Sequence, residues 1–170
     1  MDLKYVAGRL AQNATAVKGL VGGVNPDQAR WQPSPGKWSV LEIVNHLGDE
    51  ERDDFRRRLD LLLHHPDQEW PAIDPEGWCV ERKYNERELT ISLQEFLSER
   101  QKSIAWLDTL ENPNWENCYQ HPVLGQIKAG SLLGSWLAHD LLHIRQLTKL
   151  HFDYFKRRNK PYTADYAGSW

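Results

Sequence analysis

The sequence has few cysteines and no long apolar run. Its two cysteines, Cys79 and Cys118, are too few for a disulfide framework, and neither belongs to a Cys-x-x-Cys pair. A cysteine-rich zinc module is therefore excluded, and the reducing cytoplasm is the expected compartment. No apolar segment approaches the ~18 residues of a membrane span, and the N-terminal residues lack the basic and apolar regions of a signal peptide. We expect no association with a membrane.

An excess of positive charge is also missing. The 170 residues include 21 Lys and Arg against 24 Asp and Glu, which gives a formal net charge of −3. A chain without a basic excess has no general attraction for phosphate backbones, so nucleic acid is not an expected partner. The proportions of apolar and charged residues, 40% and 26%, are typical of a globular protein. The length predicts a single domain covering residues 1–170.

Tryptophan, in contrast, is abundant. The chain has eight tryptophans and one methionine. Tryptophan usually fills a core, but this number also suggests a pocket with aromatic walls.

Hydrophobic periodicity predicts four long helices and an all-α fold. Apolar residues recur at three- and four-residue steps in four stretches. The clearest helix start is Ser39, an N-cap with Glu42 three residues later in a capping-box pattern. The predicted helices cover residues 2–22, 39–64, 86–110 and 131–155. Four amphipathic stripes are buried together in a four-helix bundle. The long connection at 66–85 either crosses this bundle or forms a lid, and the connections have room for a short strand pair.

Two histidines in the last predicted helix indicate a metal site. His139 and His143 are one turn apart and lie in the same arc as Leu147, so they face the core. Buried imidazoles need partners, and a shared metal ion supplies them. His46, in the second predicted helix, also faces the core, and the three histidines together can form an open site for zinc or nickel. The alternative is a structural bundle without metal, in which the histidines are satisfied core residues.

Glu50 is the candidate catalytic residue. It lies one turn after His46, where it is placed to orient a water molecule or to accept its proton. Helical spacing puts Asp53 and Arg57 on the same face. The alternative interpretation is that all three belong to an exposed charged stripe.

Arg100 and Gln146 are the candidate substrate-binding residues. Arg100 lies within the apolar stripe of the third predicted helix, where it either binds a substrate carboxylate or pairs with Glu50 or Asp53. Gln146, one turn after His143, is placed to hydrogen-bond a ligand or a water molecule.

These motifs, taken in order, resemble the DinB/YfiT superfamily. The resemblance spans about residues 3–152 and rests on four features: Trp38-Ser39 at a helix start, His46, His139-x-x-x-His143 followed by Gln146, and the loop His121-Pro122-Val123-Leu124-Gly125. It implies a four-helix bundle with a long crossover connection. It also implies a divalent metal ion held by His46, His139 and His143, and frequently a homodimer.

The resemblance further implies an enzyme. Members of the superfamily include thiol transferases that use bacillithiol, mycothiol or similar thiols, and a maleylpyruvate isomerase branch that uses mycothiol. On this basis we expect a divalent-metal-dependent enzyme acting on a small-molecule substrate. It would activate either a low-molecular-weight thiol for transfer or a water molecule for hydrolysis. The alternative is a non-enzymatic, metal-binding or stress-associated bundle.

Overall fold

Four long helical segments form the framework of the chain in a computed structural model, which describes residues 1–168 and 170. The second segment consists of two helices joined by a π-helical turn. The four segments are α1 (Leu3–Val21), then α3 (Val40–Asp49) with the π-turn (Glu50–Phe55) and α4 (Arg56–His64), then α6 (Leu89–Leu107), and α7 (Ala129–Arg158). None of the described helices is long and apolar enough to cross a membrane.

Shorter elements occupy the connections. They are the helices α2 (Pro26–Arg30) and α5 (Pro75–Glu81), the 3-10 turns Tyr84–Glu86 and Asp165–Ala167, and the antiparallel strands β1 (Cys118–His121) and β2 (Gly125–Lys128). The predicted all-α four-helix architecture is confirmed, and each predicted helix end lies within three residues of the observed one. A short antiparallel strand pair lies in the connection before α7, where the sequence left room for one, and the connection at 66–85 contains a helix.

The N-terminus of α3 has the predicted capping box. The Ser39 side chain accepts a hydrogen bond from the backbone N–H of Glu42 at 3.1 Å, and the Ser39 N–H donates to the Glu42 carboxylate at 2.6 Å. Both groups are buried, so each of these backbone donors needs a protein partner. The box therefore sets the register of α3, and with it the position of every side chain along this helix.

The core consists of two apolar clusters. One includes Leu10, Leu59 and Trp136, and the other includes Val17 and Leu147. On each of the four long segments, buried polar residues lie at or close to the place in the sequence where one cluster gives way to the other. These residues are Asn13 on α1, His46 on α3, Glu50, Glu51 and Asp54 on the π-turn, Arg100 on α6, and Asp140 and His143 on α7. We call this set, together with His139, the polar layer; it contains the candidate site.

Candidate metal centre

Three histidine side chains meet in the polar layer. His46 belongs to α3, and His139 and His143 are one turn apart on α7. The Nε2 atom of His139 lies 3.2 Å from that of His46 and 3.1 Å from that of His143. One ligand atom from each of the three residues lies within 4.8 Å of the others. The structure therefore brings together the three histidines that the sequence singled out.

Aromatic rings enclose the histidine cluster. Trp38, directly before the α3 cap, packs against His46 with 4.6 Å between ring centroids. Its indole is also parallel to the His143 ring, at 6.1 Å. Phe55 of the π-turn packs against His139 at 5.1 Å. These rings limit the access of water and hold the imidazoles in fixed orientations.

Gln146 orients His143. The Nδ1 atom of His143 lies 3.0 Å from the Gln146 side-chain oxygen, which can only accept a hydrogen bond. Nδ1 therefore carries the proton, and the Nε2 atom of the neutral ring has a free lone pair directed at the other histidines. The structure places Gln146 against a candidate metal ligand, and its role in substrate binding stays a prediction.

The three imidazoles are neutral at physiological pH. Burial and, to a smaller extent, the positive charges that His143 and His139 would carry together lower the pKa of His46 to about 2. Burial and the charge of His143 likewise lower the pKa of His139 to about 3. Burial also lowers the pKa of His143. Neutral imidazole is the form that binds metal ions, so the electrostatics favour ligation.

The donor set fits a divalent metal ion. Zinc–imidazole bonds of about 2.0–2.1 Å at tetrahedral angles place neighbouring nitrogens about 3.3–3.4 Å apart. The two Nε2 separations of 3.2 and 3.1 Å at His139 are close to this value. Three protein ligands leave at least one coordination position open, which is typical of catalytic rather than structural zinc sites.

Arg100 is the centre of a buried ion-pair network beside the histidines. Its guanidinium donates to both carboxylate oxygens of Asp140, at 2.6 and 2.7 Å, and lies 2.7 Å from Glu51. The Trp136 indole N–H donates to Glu51 at 2.5 Å, and the Asn13 amide donates to Asp140 at 3.1 Å. Asp140 directly follows His139, so the network connects all four long segments at the level of the candidate site.

This network corrects the predicted role of Arg100. The residue is 1% exposed, and both of its terminal nitrogens are bound by carboxylates of the chain. No terminal N–H is left to bind a substrate carboxylate. Arg100 forms ion pairs, as the alternative interpretation proposed. Its partners are Glu51 and Asp140, however, and not Glu50 or Asp53.

The π-turn corrects the predicted face around Glu50. Glu50 and Asp54 are both buried, and the charge of Asp54 acts on Glu50. Asp53 instead binds Arg82, and Arg57 is exposed. Each turn of a π-helix contains more residues than an α-helical turn, so side chains three and seven positions on no longer share a face with Glu50. Glu50 is therefore not part of an exposed charged stripe.

Glu50 also has an unusual protonation state. Burial and the negative charge of Asp54 raise the pKa of Glu50 to about 9. A pKa raised this far keeps a proton on the Glu50 carboxyl group at neutral pH. Such a group donates a proton and does not accept one, which is the opposite of the general-base role expected from the sequence.

Two residues of the site escaped the sequence analysis. Glu51 lies in a run of acidic residues that is typical of a solvated surface, so nothing in the sequence marked it as buried. Phe55 offered a weak signal, because it is the one apolar residue between Gly48 and Leu59. An apolar side chain in so charged a stretch indicates an inward-facing position.

Comparison with known families supports the resemblance noted in the sequence. The chain matches the family model of the DinB superfamily over residues 9–147, a span that includes the three histidines, Arg100 and Gln146. Two proteins of Oceanobacillus iheyensis, each provisionally named a metal-dependent hydrolase, are similar to it. One is 27% identical over 79% of this chain and 77% of its own length. The other is 24% identical over 75% of this chain and 72% of its own length.

A solved structure has the same fold. YfiT from Bacillus subtilis aligns with a TM-score of 0.77 and 21% identity, covering 87% of this chain and 85% of that one. It is described as a probable metal-dependent hydrolase with an unusual four-helix bundle topology. The match shows that this chain has the bundle architecture of YfiT.

Proposed function

This chain belongs to the DinB superfamily, and from that premise we propose that it is a metal-dependent hydrolase whose divalent ion binds His46, His139 and His143. The observation that carries the proposal is the convergence of three neutral imidazoles, with their ligand atoms within 4.8 Å of one another. The names of the Oceanobacillus relatives support hydrolysis as the reaction class.

Residues around the histidines keep them in the form that binds a metal ion and limit the water that reaches them. A zinc or nickel ion with an open position would supply Lewis-acid chemistry, polarising a carbonyl group and making water nucleophilic at neutral pH. Burial keeps the imidazoles unprotonated, Gln146 holds the lone pair of His143 inward, and Trp38 limits access of bulk water. Hydrolysis then adds water across an acyl bond: the hydroxyl goes to the acyl carbon and a hydrogen to the leaving alcohol or amine.

Glu50 is the candidate proton donor for the leaving group. Its backbone N–H donates to the carbonyl oxygen of His46 one turn earlier, so both residues belong to the same stretch of helix. Because the pKa of its carboxyl group is about 9, the group keeps its proton at neutral pH. A group that keeps its proton at neutral pH can release it when a leaving alkoxide or amide nitrogen becomes strongly basic.

Two other outcomes correspond to the alternatives in the sequence analysis. In thiol transfer, a low-molecular-weight thiol replaces water as the nucleophile at the same site. In a non-enzymatic bundle, the ion is bound but no reaction follows. Both share the three-histidine site with the hydrolase proposal, so the metal must be tested first and the reaction second.

Metal content provides the first test. The purified protein should contain about one zinc or nickel ion per chain by elemental analysis, and His139→Ala should lose it. The matched control is His64→Ala, because His64 is an exposed histidine that contacts Asp60 at the end of α4. Equal metal content in both variants, or no metal in the unaltered protein after incubation with zinc or nickel, would rule out the site.

A substrate screen provides the second test. Metal-loaded and metal-free protein are incubated with nitrophenyl esters and anilides, with and without a low-molecular-weight thiol. We expect metal-dependent release of nitrophenol or nitroaniline in water alone. Release only in the presence of thiol would assign the site to transfer, and binding of metal without any release would assign it to the non-enzymatic alternative.

A further inference from the structure

A cavity of about 680 Å³ lies between α2 and the C-terminal end of α7. This volume is within the range of sites that bind small molecules. None of the described residues that line it belongs to the polar layer. Tyr154, the first lining residue on α7, follows His143 by about three helical turns, or about 16 Å along the helix axis. The cavity is therefore separate from the candidate metal centre, and we call it the α2–α7 pocket.

Two walls form the α2–α7 pocket. Tyr154, Arg157 and Arg158 share one face of α7, because residues three and four apart are neighbours on a helix surface. The amide nitrogen of Gln28 on α2 lies 2.9 Å from Nδ1 of His151, a contact that joins α2 to α7 one turn before Tyr154. The two walls are thus held together by the fold. The opposite wall is formed by residues of α2 and the residue that follows it, namely Pro26, Asp27, Arg30 and Trp31.

Two aromatic rings line the pocket. Trp31 and Tyr154 contact each other edge to face, with 5.4 Å between their centroids and 65° between their planes. Trp31 also packs against the apolar cluster that contains Val17 and Leu147, which fixes its orientation. Both rings are half-buried, so each keeps surface that a planar ligand can contact. Stacking on such rings stabilises a bound base whatever its identity.

Two arginines without an ion-pair partner lie beside these rings. Arg157 and Arg158 belong to the exposed last turn of α7, and neither forms an ion pair within the part of the chain that the structure describes. Both line the same cavity, and the Arg157 guanidinium carbon lies 5.9 Å from the centre of the Trp31 ring. Two neighbouring guanidinium groups match a phosphate dianion, which accepts hydrogen bonds from both and balances both charges. A carboxylate would balance only one of them.

The other two charged residues of the pocket have different roles. The Arg30 guanidinium donates to the Glu88 carboxylate at 3.2 Å and to the backbone carbonyl oxygen of Arg87 at 3.0 Å, so its charge is compensated. Asp27 is the one acidic residue among the described residues of the lining. Its carboxylate repels a phosphate and accepts hydrogen bonds, so it suits hydroxyl groups. A ligand that combines a planar ring, hydroxyl groups and a phosphate fits this set of side chains.

We propose that the α2–α7 pocket binds a nucleoside monophosphate. The base packs against Trp31 and Tyr154, the sugar hydroxyls donate to Asp27, and the phosphate accepts hydrogen bonds from Arg157 and Arg158. The site binds its ligand without making or breaking a covalent bond. It is independent of the proposed hydrolase function and adds a second ligand to the protein.

Isothermal titration calorimetry of the full chain tests the pocket without relying on activity. The probe is adenosine monophosphate, compared with adenosine, which lacks the phosphate, and with ribose 5-phosphate, which lacks the base. We expect saturable binding of adenosine monophosphate and about tenfold weaker binding of each of the other two molecules. Equal affinity for adenosine monophosphate and either of them would overturn the proposal, as would the absence of binding.

Removal of the metal ion separates the pocket from the histidine cluster. Phosphate oxygens also bind metal ions that have an open coordination position, so the titration is repeated after chelation and dialysis. The affinity for adenosine monophosphate should not change. Loss of binding together with the ion would place the nucleotide at the histidines and overturn the proposal.

A pair of charge-matched variants locates the phosphate. Arg157→Gln/Arg158→Gln should weaken binding of adenosine monophosphate about tenfold, as expected for the loss of two exposed ion pairs, and leave binding of adenosine unchanged. The control is Lys156→Gln/Lys160→Gln, because both lysines are exposed near the same end of α7 and neither lines the pocket. The control removes the same charge and should bind as the unaltered protein does. Equal loss in the two double variants, or no loss in the arginine variant, would overturn the proposal.

Discussion

Arg100 is the residue on which the polar layer most depends. It is 1% exposed and is held by the carboxylates of Glu51 and Asp140. Arg100→Met would leave these two carboxylates buried without their cation, and breaking a buried pair in this way destabilises a protein by about 3–5 kcal/mol. We expect a loss of this size in the free energy of unfolding, measured by urea denaturation of the metal-free protein.

Arg57→Met is the control for this measurement, because Arg57 is exposed on α4. Surface substitutions of this kind usually change stability by less than about 0.5 kcal/mol. If both variants unfolded at the same urea concentration, the network around Arg100 would not contribute to stability.

The pKa of Glu50 predicts a distinct pH dependence of stability. In the folded chain its pKa is raised to about 9 from its ordinary value of 4.5, so above pH 4.5 the folded state binds more protons than the unfolded state. Stability from this group is complete below pH 4.5 and is lost as the pH rises towards 9. Glu50→Gln removes the titration and keeps the shape, so it should raise the free energy of unfolding at pH 8 more than at pH 5. An equal effect at both pH values would show that Glu50 is ionised in the fold.

The histidines predict the opposite trend in the metal-free protein. The pKa values of His46 and His139 fall to about 2 and about 3 in the fold, from 6.5. Between the folded-state pKa of each histidine and pH 6.5, the unfolded state binds more protons than the folded state. The contribution of the two histidines to stability is therefore complete above pH 6.5 and is lost as the pH falls. Each group accounts for up to about 1.4 kcal/mol per pH unit. Urea denaturation from pH 7 to pH 5 should show this loss, and His46→Gln/His139→Gln should reduce its slope.

At the scale of single elements, two glycines should respond in opposite ways to alanine. Gly8 is exposed within α1, and beyond its chain neighbours and the backbone of its own helix turn, no heavy atom of the described residues lies within 4 Å of the position its β-carbon would take. Gly8→Ala should therefore stabilise the protein by about 0.5–1 kcal/mol through helix propensity. Gly36, before α3, has a φ of 77°, a left-handed conformation that alanine adopts with strain.

Thermal melts of both variants test these expectations. Gly8→Ala should melt above the unaltered protein and Gly36→Ala below it. A lower melting temperature for Gly8→Ala would mean that α1 makes a contact at this position in solution.

At the scale of the whole molecule, the two apolar clusters should hold the fold without metal. They lie on either side of the polar layer and contain side chains from all four long segments. Removing the ion with a chelator should therefore leave the circular dichroism signal at 222 nm almost unchanged while abolishing metal-dependent hydrolysis. A collapse of helicity on chelation would show that the ion has a structural role and would contradict an open catalytic site.

The homodimer implied by the family resemblance stays a prediction. Several large apolar side chains are about half exposed or more, and surface of this kind often serves association. Among them are Tyr5 at 61%, Ile91 at 53%, Leu141 at 49% and Leu142 at 53%. We expect sedimentation velocity at micromolar concentration to show a species of twice the chain mass. A single monomeric species would contradict the prediction.

The sequence alone was sufficient for the helices and for the three histidines. Helix periodicity, the Ser39 capping box and the i, i+4 spacing of His139 and His143 are local signals, readable from neighbouring residues. Each specifies a face or an end of one helix whatever the other helices do. The inward orientation of His46 followed from the same reasoning, which is why the cluster could be predicted across 93 residues of separation.

Only the tertiary structure decided the chemistry around that cluster. The pairing of Arg100 with Glu51 and Asp140, the π-turn and the protonation of Glu50 all depend on side chains that other segments bring into contact. A charged residue in a sequence has the same chemical identity whether it is solvated or buried. Its partners and its pKa are set by the loss of water and by the charges packed against it, which exist only once the four segments have assembled.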